Sequence, residues 1–216
     1  AFPALIRARK VLVLGDKKQF SNLQSYQAAS LVNNTHLNNL RKVFKKNISA
    51  DSDKLVRLES FNVKTSVLDF FQNINNLDIR LKKHFRGYPE HIAYSSKTFY
   101  NSDLQAIRQR TKPISEVIKF DILDYTSNEE TGNYNKKEAQ LIIKYLEDLK
   151  KKKVNQTVGI ITPFTDQQKY ITTQITKHPD RDYFFENLKL KIMTFDTCQG
   201  EERQIVFYSM VACKKR

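Results

Sequence analysis

The chain has 216 residues, of which 40% are hydrophobic and 28% charged, with 37 Lys and Arg against 23 Asp and Glu and a formal net charge of +14. That length and apolar share exclude a disordered tail and suit one large domain or one and a half, while the basic excess points to polyanions: nucleic acid, nucleotide phosphate or an anionic surface. Cys198 and Cys213 are too few for a disulfide framework and lack metal-ligand spacing, which implies a reducing compartment (cytoplasmic, or nuclear in a eukaryote), and no apolar run is long enough to suggest a membrane partner.

In chain order, residues 2–9 are helical in composition, and residues 10–14 read as a strand. Val11, Leu12, Val13 and Leu14 do not alternate with polar residues, as expected of a parallel strand covered on both faces, and Gly15 with Asp16 ends the run. A buried strand this near the first residue, and Lys214, Lys215 and Arg216 directly after an apolar segment at the other end, are what a piece of a longer protein is expected to show. Leu37, Leu40, Val43 and Phe44 predict a helix over residues 36–46, followed by a polar loop at 47–54. Val67, Leu68, Phe70 and Phe71 predict another over 65–74. Residues 77–81 read as a strand, and Pro89 as the first residue of a helix running to about Tyr100, with a turn at 101–103. Residues 117–123 alternate like a strand.

The clearest helix covers residues 136–150. Ala139, Ile142, Ile143, Leu146 and Leu149 form its apolar face, Asn135 and Glu138 a capping box, and the lysines at 150–153 complement its dipole. Residues 157–162 are a second non-alternating strand, punctuated by Pro163. Thr165 and Gln168 suggest a cap for a helix reaching about Lys177, and residues 178–187 a loop. Two further strands, 190–195 and 204–211, enclose a polar insert at Gln199, Gly200, Glu201 and Glu202. Gly200 permits backbone geometry or a close approach that a side chain would block. Gln199 and Glu202 are expected at the mouth of the sheet, where α/β proteins bind ligands. Strands alternating with helices imply an α/β fold with a parallel sheet and right-handed crossovers.

As residues alone, Gln19 is a loop cap at a sheet edge, and Arg86 one cation in a basic cluster with Arg80, Lys82, Lys83 and His84. Thr162 and Thr194 end strands with hydroxyls suited to phosphates. Phe164 is either a stacking platform for a base or a core residue. His36, His84, His91, His178 and Cys198 have no metal or triad spacing and receive no chemistry, and capping accounts for Glu138.

Taken together, five stretches in order carry a resemblance. The run Val11 to Gln19 ends an apolar strand in Gly-Asp-x-x-Gln. Residues 81–86 close on His84, Phe85 and Arg86, with Pro89, Phe99 and Tyr100 beyond. Asn135 precedes Glu138 and Ala139; Gly159 to Phe164 precede Gln167; and Thr194 to Glu202 contain Gln199 and Gly200. The chain resembles superfamily 1 helicases of the 5′→3′ branch that includes nonsense-decay and Okazaki-processing enzymes. The resemblance implies a RecA-like P-loop NTPase fold, a mostly parallel sheet with helices on both faces. Residues 1–20 would belong to the end of a first RecA-like domain and 21–76 to a helical connection. Residues 77–216 would be a second RecA-like domain lacking the sixth motif.

The same resemblance carries implications for function. ATP and Mg2+ are the implied cofactors, and single-stranded DNA or RNA and the N-terminal RecA-like domain the implied partners. Gln19 would sense the terminal phosphate, on a loop fixed by Asp16. Arg86 would stabilise charge on the transferring phosphoryl group, and Phe85, where the family usually has tyrosine, would stack on the base. Glu202 would reach ribose or the phosphates, with Gly200 packed close beside it. Thr162, Pro163, Phe164 and Thr194 would contact the strand. Phe20, Ser21 and Asn22 depart from the family's leucine and prolines, as do Thr165 and Asp166 from its arginine and small residue. No Gly-x-x-x-x-Gly-Lys-Ser/Thr loop and no strand ending in Asp-Glu occurs in the sequence. The phosphate cradle and Mg2+ ligands are therefore expected in the N-terminal domain, and the chain alone is expected to be inactive. The alternative is a non-catalytic basic nucleic-acid-binding module with degenerate motifs.

Overall fold

The structure is a computed structural model and describes residues 7–19, 26–47, 66–72, 75–123 and 133–211. It divides into two compact units, residues 1–113 and 114–216, and the expected second domain at 77–216 spans that division.

In the first unit, α1 (Tyr26–Asn47) extends the helix expected at 36–46, with Leu37 and Leu40 half-buried. Helix α2 (Val67–Gln72) starts where Ser66 accepts from the Asp69 amide at 3.0 Å, satisfying a donor that has no partner inside the helix. A small parallel β-α-β unit follows: β1 (Lys83–His84), α3 (Pro89–Phe99) and β2 (Gln105–Ala106). Pro89 opens α3 as its fixed φ predicts. The helix closes with the Tyr100 amide on the Ser96 carbonyl, and Asn101 and Ser102 make the turn at φ 52° and 61°.

Two strands read from the sequence of this unit are absent. Residues 11–16 make no ladder, and Leu12 is 84% exposed. Residues 77–81 are likewise irregular, with Leu77, Ile79 and Leu81 exposed. An apolar run becomes a strand only where a neighbour takes its N–H and C=O groups. Here the neighbour, Gln105–Ala106, pairs with Lys83–His84 instead, through the Gln105 amide to Lys82 O (2.8 Å) and the Ile107 amide to His84 O (2.9 Å). The expected segments at 2–6 and 48–54 lie outside the described residues.

The second unit begins with a single turn, α4 (Ile114–Val117). The strand expected at 117–123 does not form, and Phe120 and Ile122 are exposed. Next come α5 (Lys136–Lys151), β3 (Val158–Thr162) and α6 (Thr165–Thr176), then β4 (Lys191–Thr194) and β5 (Ile205–Tyr208). The sheet order is β4-β3-β5, and both flanking strands run parallel to β3. Register puts Ile160 beside Ile192 and Phe207, and Val158 beside Ile205. These side chains share one face with Ala139, Ile142 and Leu146 from α5 and Ile171 and Ile175 from α6. Each fully buried Leu, Ile or Phe there contributes roughly 1.5–3 kcal/mol of transfer free energy.

Two smaller expectations also change. Thr165 is the first helical residue of α6 and does not cap it; the N-cap is Phe164, which makes no side-chain cap bond. The loop expected at 178–187 contains a π-helical turn, Tyr183–Asn187, in which the Leu188 amide reaches the Tyr183 carbonyl. The wider turn swings Phe184 into the core, where it is fully buried.

Candidate nucleotide and nucleic-acid site

The loop at residues 15–19 turns on the carboxylate of Asp16. Asp16 accepts from the Lys18 amide (2.9 Å), the Gln19 side-chain amide (3.1 Å) and the Tyr100 hydroxyl (2.5 Å). Short carboxylates turn loops this way by bonding backbone two residues on. Partial burial raises the carboxyl's pKa, but the bonds from Tyr100, Lys18 and Gln19 outweigh it and hold it below the ordinary value. The same burial, then the bond to Asp16, pushes Tyr100 up to about 12. Lys17 pairs with Asp69 at 2.5 Å, so the loop is anchored to α2 as well as to the end of α3.

Arg86 stands at the other end of α3. It follows β1 and precedes Pro89, with its side chain exposed and the Phe85 ring beside it 67% exposed. Helix α3 has 11 residues, about 16 Å of axis. Within this unit the Gln19 loop is thus bonded to the residue closing α3, and Arg86 lies just before its first turn.

In the second unit, the carboxyl edge of the sheet gathers the residues expected to meet a strand. Thr162 and Thr194 are partners in register, both buried. Their hydroxyls are used internally: Thr162 accepts from the Phe164 amide at 3.4 Å, and Thr194 Oγ1 lies 3.3 Å from Thr197 Oγ1. Pro163 and Phe164 are half-buried at the start of α6, and Phe164 is outside the apolar core. Beside them, Phe195 and Tyr208 stack at 5.5 Å and 13°.

Glu202 lies elsewhere. Because β4 and β5 are parallel, the insert must return along the whole strand length before β5 begins. Gln204, two residues past Glu202, bonds Thr157 O through its amide (3.0 Å), and Glu201 pairs with Lys191, the first residue of β4. Glu202 therefore sits toward the amino edge, not at the expected carboxyl mouth. Gly200 adopts φ +80°, a conformation other residues strain to reach, and nothing lies within 4 Å of the position a Cβ would take. The reason for glycine there is the turn and not close packing.

A buried network that capping did not foretell joins α5, α6 and β5. Asn135 accepts from the Glu138 amide (2.9 Å), as a cap should. The return bond of a capping box is replaced, because the Asn135 amide donates to Gln167 Oε1 at 2.6 Å. Gln167 Nε2 donates to Ser209 Oγ (2.9 Å), which donates to Glu138 Oε2 (2.6 Å). The same oxygen accepts the amide of Val211, whose φ is 52°. Glu138 and Gln167 thus fix how the chain leaves β5. Their motif spacing was visible in the sequence; their partner Ser209 was not.

The AAA domain family matches residues 63–216, well over half of the chain. The chain belongs to this family. It is also 25% identical over 226 residues to the "Uncharacterized ATP-dependent helicase MG140 homolog" of Mycoplasma pneumoniae, an alignment covering 97% of this chain and 18% of that protein. To "Helicase sen1" of Schizosaccharomyces pombe it is 26% identical over 155 residues, 65% of this chain and 9% of that protein. The chain spans less than a fifth of the length of either relative. The resemblance read from the sequence holds: this AAA domain is of the superfamily 1 helicase kind, with an α/β RecA-like fold. Among the described residues, no helix is long and apolar enough to cross a membrane, and no group of three His, Cys, Asp or Glu is placed to hold a metal ion.

Proposed function

We propose that this chain is the C-terminal part of an ATP-dependent helicase that couples ATP hydrolysis to 5′→3′ translocation on single-stranded DNA or RNA. The alignment of nearly the whole chain to a protein named as an ATP-dependent helicase carries this reading most directly. Bound ATP supplies the phosphoanhydride whose hydrolysis drives movement. Arg86, exposed and ahead of a helix, meets developing charge on phosphoryl oxygens with its planar fork. Phe85 offers a ring face to the base, while Gln19, bonded to Asp16 at the far end of α3 from Arg86, serves to fix its own loop. The Mg2+ ligands and the phosphate cradle are assigned to the N-terminal RecA-like domain, since this sequence carries no Gly-x-x-x-x-Gly-Lys-Ser/Thr loop and no strand ending in Asp-Glu.

Strand contact falls to the carboxyl edge. Phe164 supplies a stacking surface, and Thr162, Pro163 and Thr194 shape the backbone that meets phosphates, the two threonine hydroxyls being occupied within the chain. The +14 charge supports a polyanion partner. The test is the full-length protein's ATPase rate with and without oligonucleotides, and its strand affinity at two salt concentrations. Single strands should stimulate turnover, and affinity should fall with salt, log K dropping by roughly 0.7 per neutralised phosphate for each decade of salt. Strand binding without ATP turnover would favour the non-catalytic module instead.

A further inference from the structure

Arg86 is displayed by a turn whose geometry depends on three neighbours. The Gly87 amide donates to His84 Nε2 at 2.8 Å, so the ring two residues before Arg86 ties down the backbone one residue after it. Accepting there requires the neutral imidazole with its proton on Nδ1. Arg108, just beyond β2, donates to the Arg86 carbonyl at 3.2 Å, and its guanidinium lies 4.9 Å from the centre of the Tyr88 ring. The strand bond from the Ile107 amide to His84 O keeps Arg108 at this distance. Gly87 has no spare room: a Cβ would stand 3.1 Å from His84 Nε2 and 3.3 Å from His91 Nδ1.

We propose that His84 and Arg108 are positioning residues for Arg86, a clamp that fixes the backbone on both sides of it so that its guanidinium meets the reacting phosphoryl group without searching. This rests on the proposed role of Arg86 at the phosphoryl group. An exposed arginine on a loose turn would sample many placements, and misplacement of about 1 Å at a reacting centre costs on the order of 10²-fold in rate. The clamp acts on charge that develops during reaction, so its loss should lower kcat and leave the KM for ATP near its starting value.

The experiment uses the full-length protein with His84→Phe, His84→Gln, Arg108→Ala and Arg86→Ala. ATPase kinetics are measured with single strands, and hydrogen exchange by mass spectrometry on the peptide covering residues 83–89. His84→Phe and Arg108→Ala should each reduce kcat by about 10²-fold at near-constant KM and speed exchange in that peptide. His84→Gln, whose amide oxygen still accepts from Gly87, should restore most of both. Normal turnover in His84→Phe where Arg86→Ala collapses would overturn the clamp alone. Equal losses in His84→Phe and His84→Gln would also overturn it, by showing that the ring's bulk matters and its acceptor does not. Normal turnover in Arg86→Ala would overturn the reading beneath it, and the positioning role with it, whatever the peptide's exchange.

Discussion

Tyr100 is the residue whose ionisation reports most directly on the loop at residues 15–19. Its hydroxyl is the strongest tie between Asp16 and α3, and the two groups are shifted in opposite directions. Asp16 is held below its ordinary value, so its contribution to stability is present above about pH 4 and lost as pH falls through its folded value. Tyr100 is raised to about 12, so its contribution is present below the ordinary phenol value and lost as pH rises through about 12. The tie should therefore hold from about pH 4 to about pH 10. Ultraviolet titration of phenolate should find one tyrosine ionising near 12 that disappears in Tyr100→Phe and shifts down in Asp16→Asn. An unchanged titration in Asp16→Asn would mean that this hydrogen bond does not form in solution.

Among the elements, α5 and β3 were legible because their patterns and their packing agree. The apolar face of α5 faces the core, and β3, buried on both sides, shows the unbroken apolar run of a central parallel strand. The segment at 117–123 failed for the opposite reason: alternation records a face, but pairing needs a neighbour that the sequence does not name. The π turn at Tyr183–Asn187 was hidden because its i→i+5 bonding has no composition of its own. The site was legible in part. Strand-end positions of Thr162 and Thr194 followed from the pattern, whereas the placement of Glu202 depended on the strands being parallel. Gln167 tests how much the hidden network matters. Gln167→Leu would remove the acceptor that the Asn135 amide uses and the donor that Ser209 Oγ uses, both in buried surroundings. Removing one partner of a buried hydrogen bond costs about 1–3 kcal/mol. The urea midpoint should fall accordingly with little change in slope; an unchanged midpoint would contradict a structural role for the network.

At the scale of the whole molecule, the proposed function separates two jobs. Arg86 and Phe85 serve the nucleotide, while the carboxyl edge at Thr162, Phe164 and Thr194 serves the strand. In this proposal the chain's own residues stabilise and position, and the phosphate cradle and metal ligands come from the preceding domain. Arg86 is the point where this division can be tested, because an exposed arginine contributes little to stability. The measurement is the strand-stimulated ATPase rate of the full-length protein, its Arg86→Ala variant and this chain alone. The expected result is a loss on the order of 10³-fold in the variant, with an unchanged melting temperature, and no turnover by the chain alone. Near-normal turnover by the variant, or robust hydrolysis by the isolated chain, would contradict the division of labour.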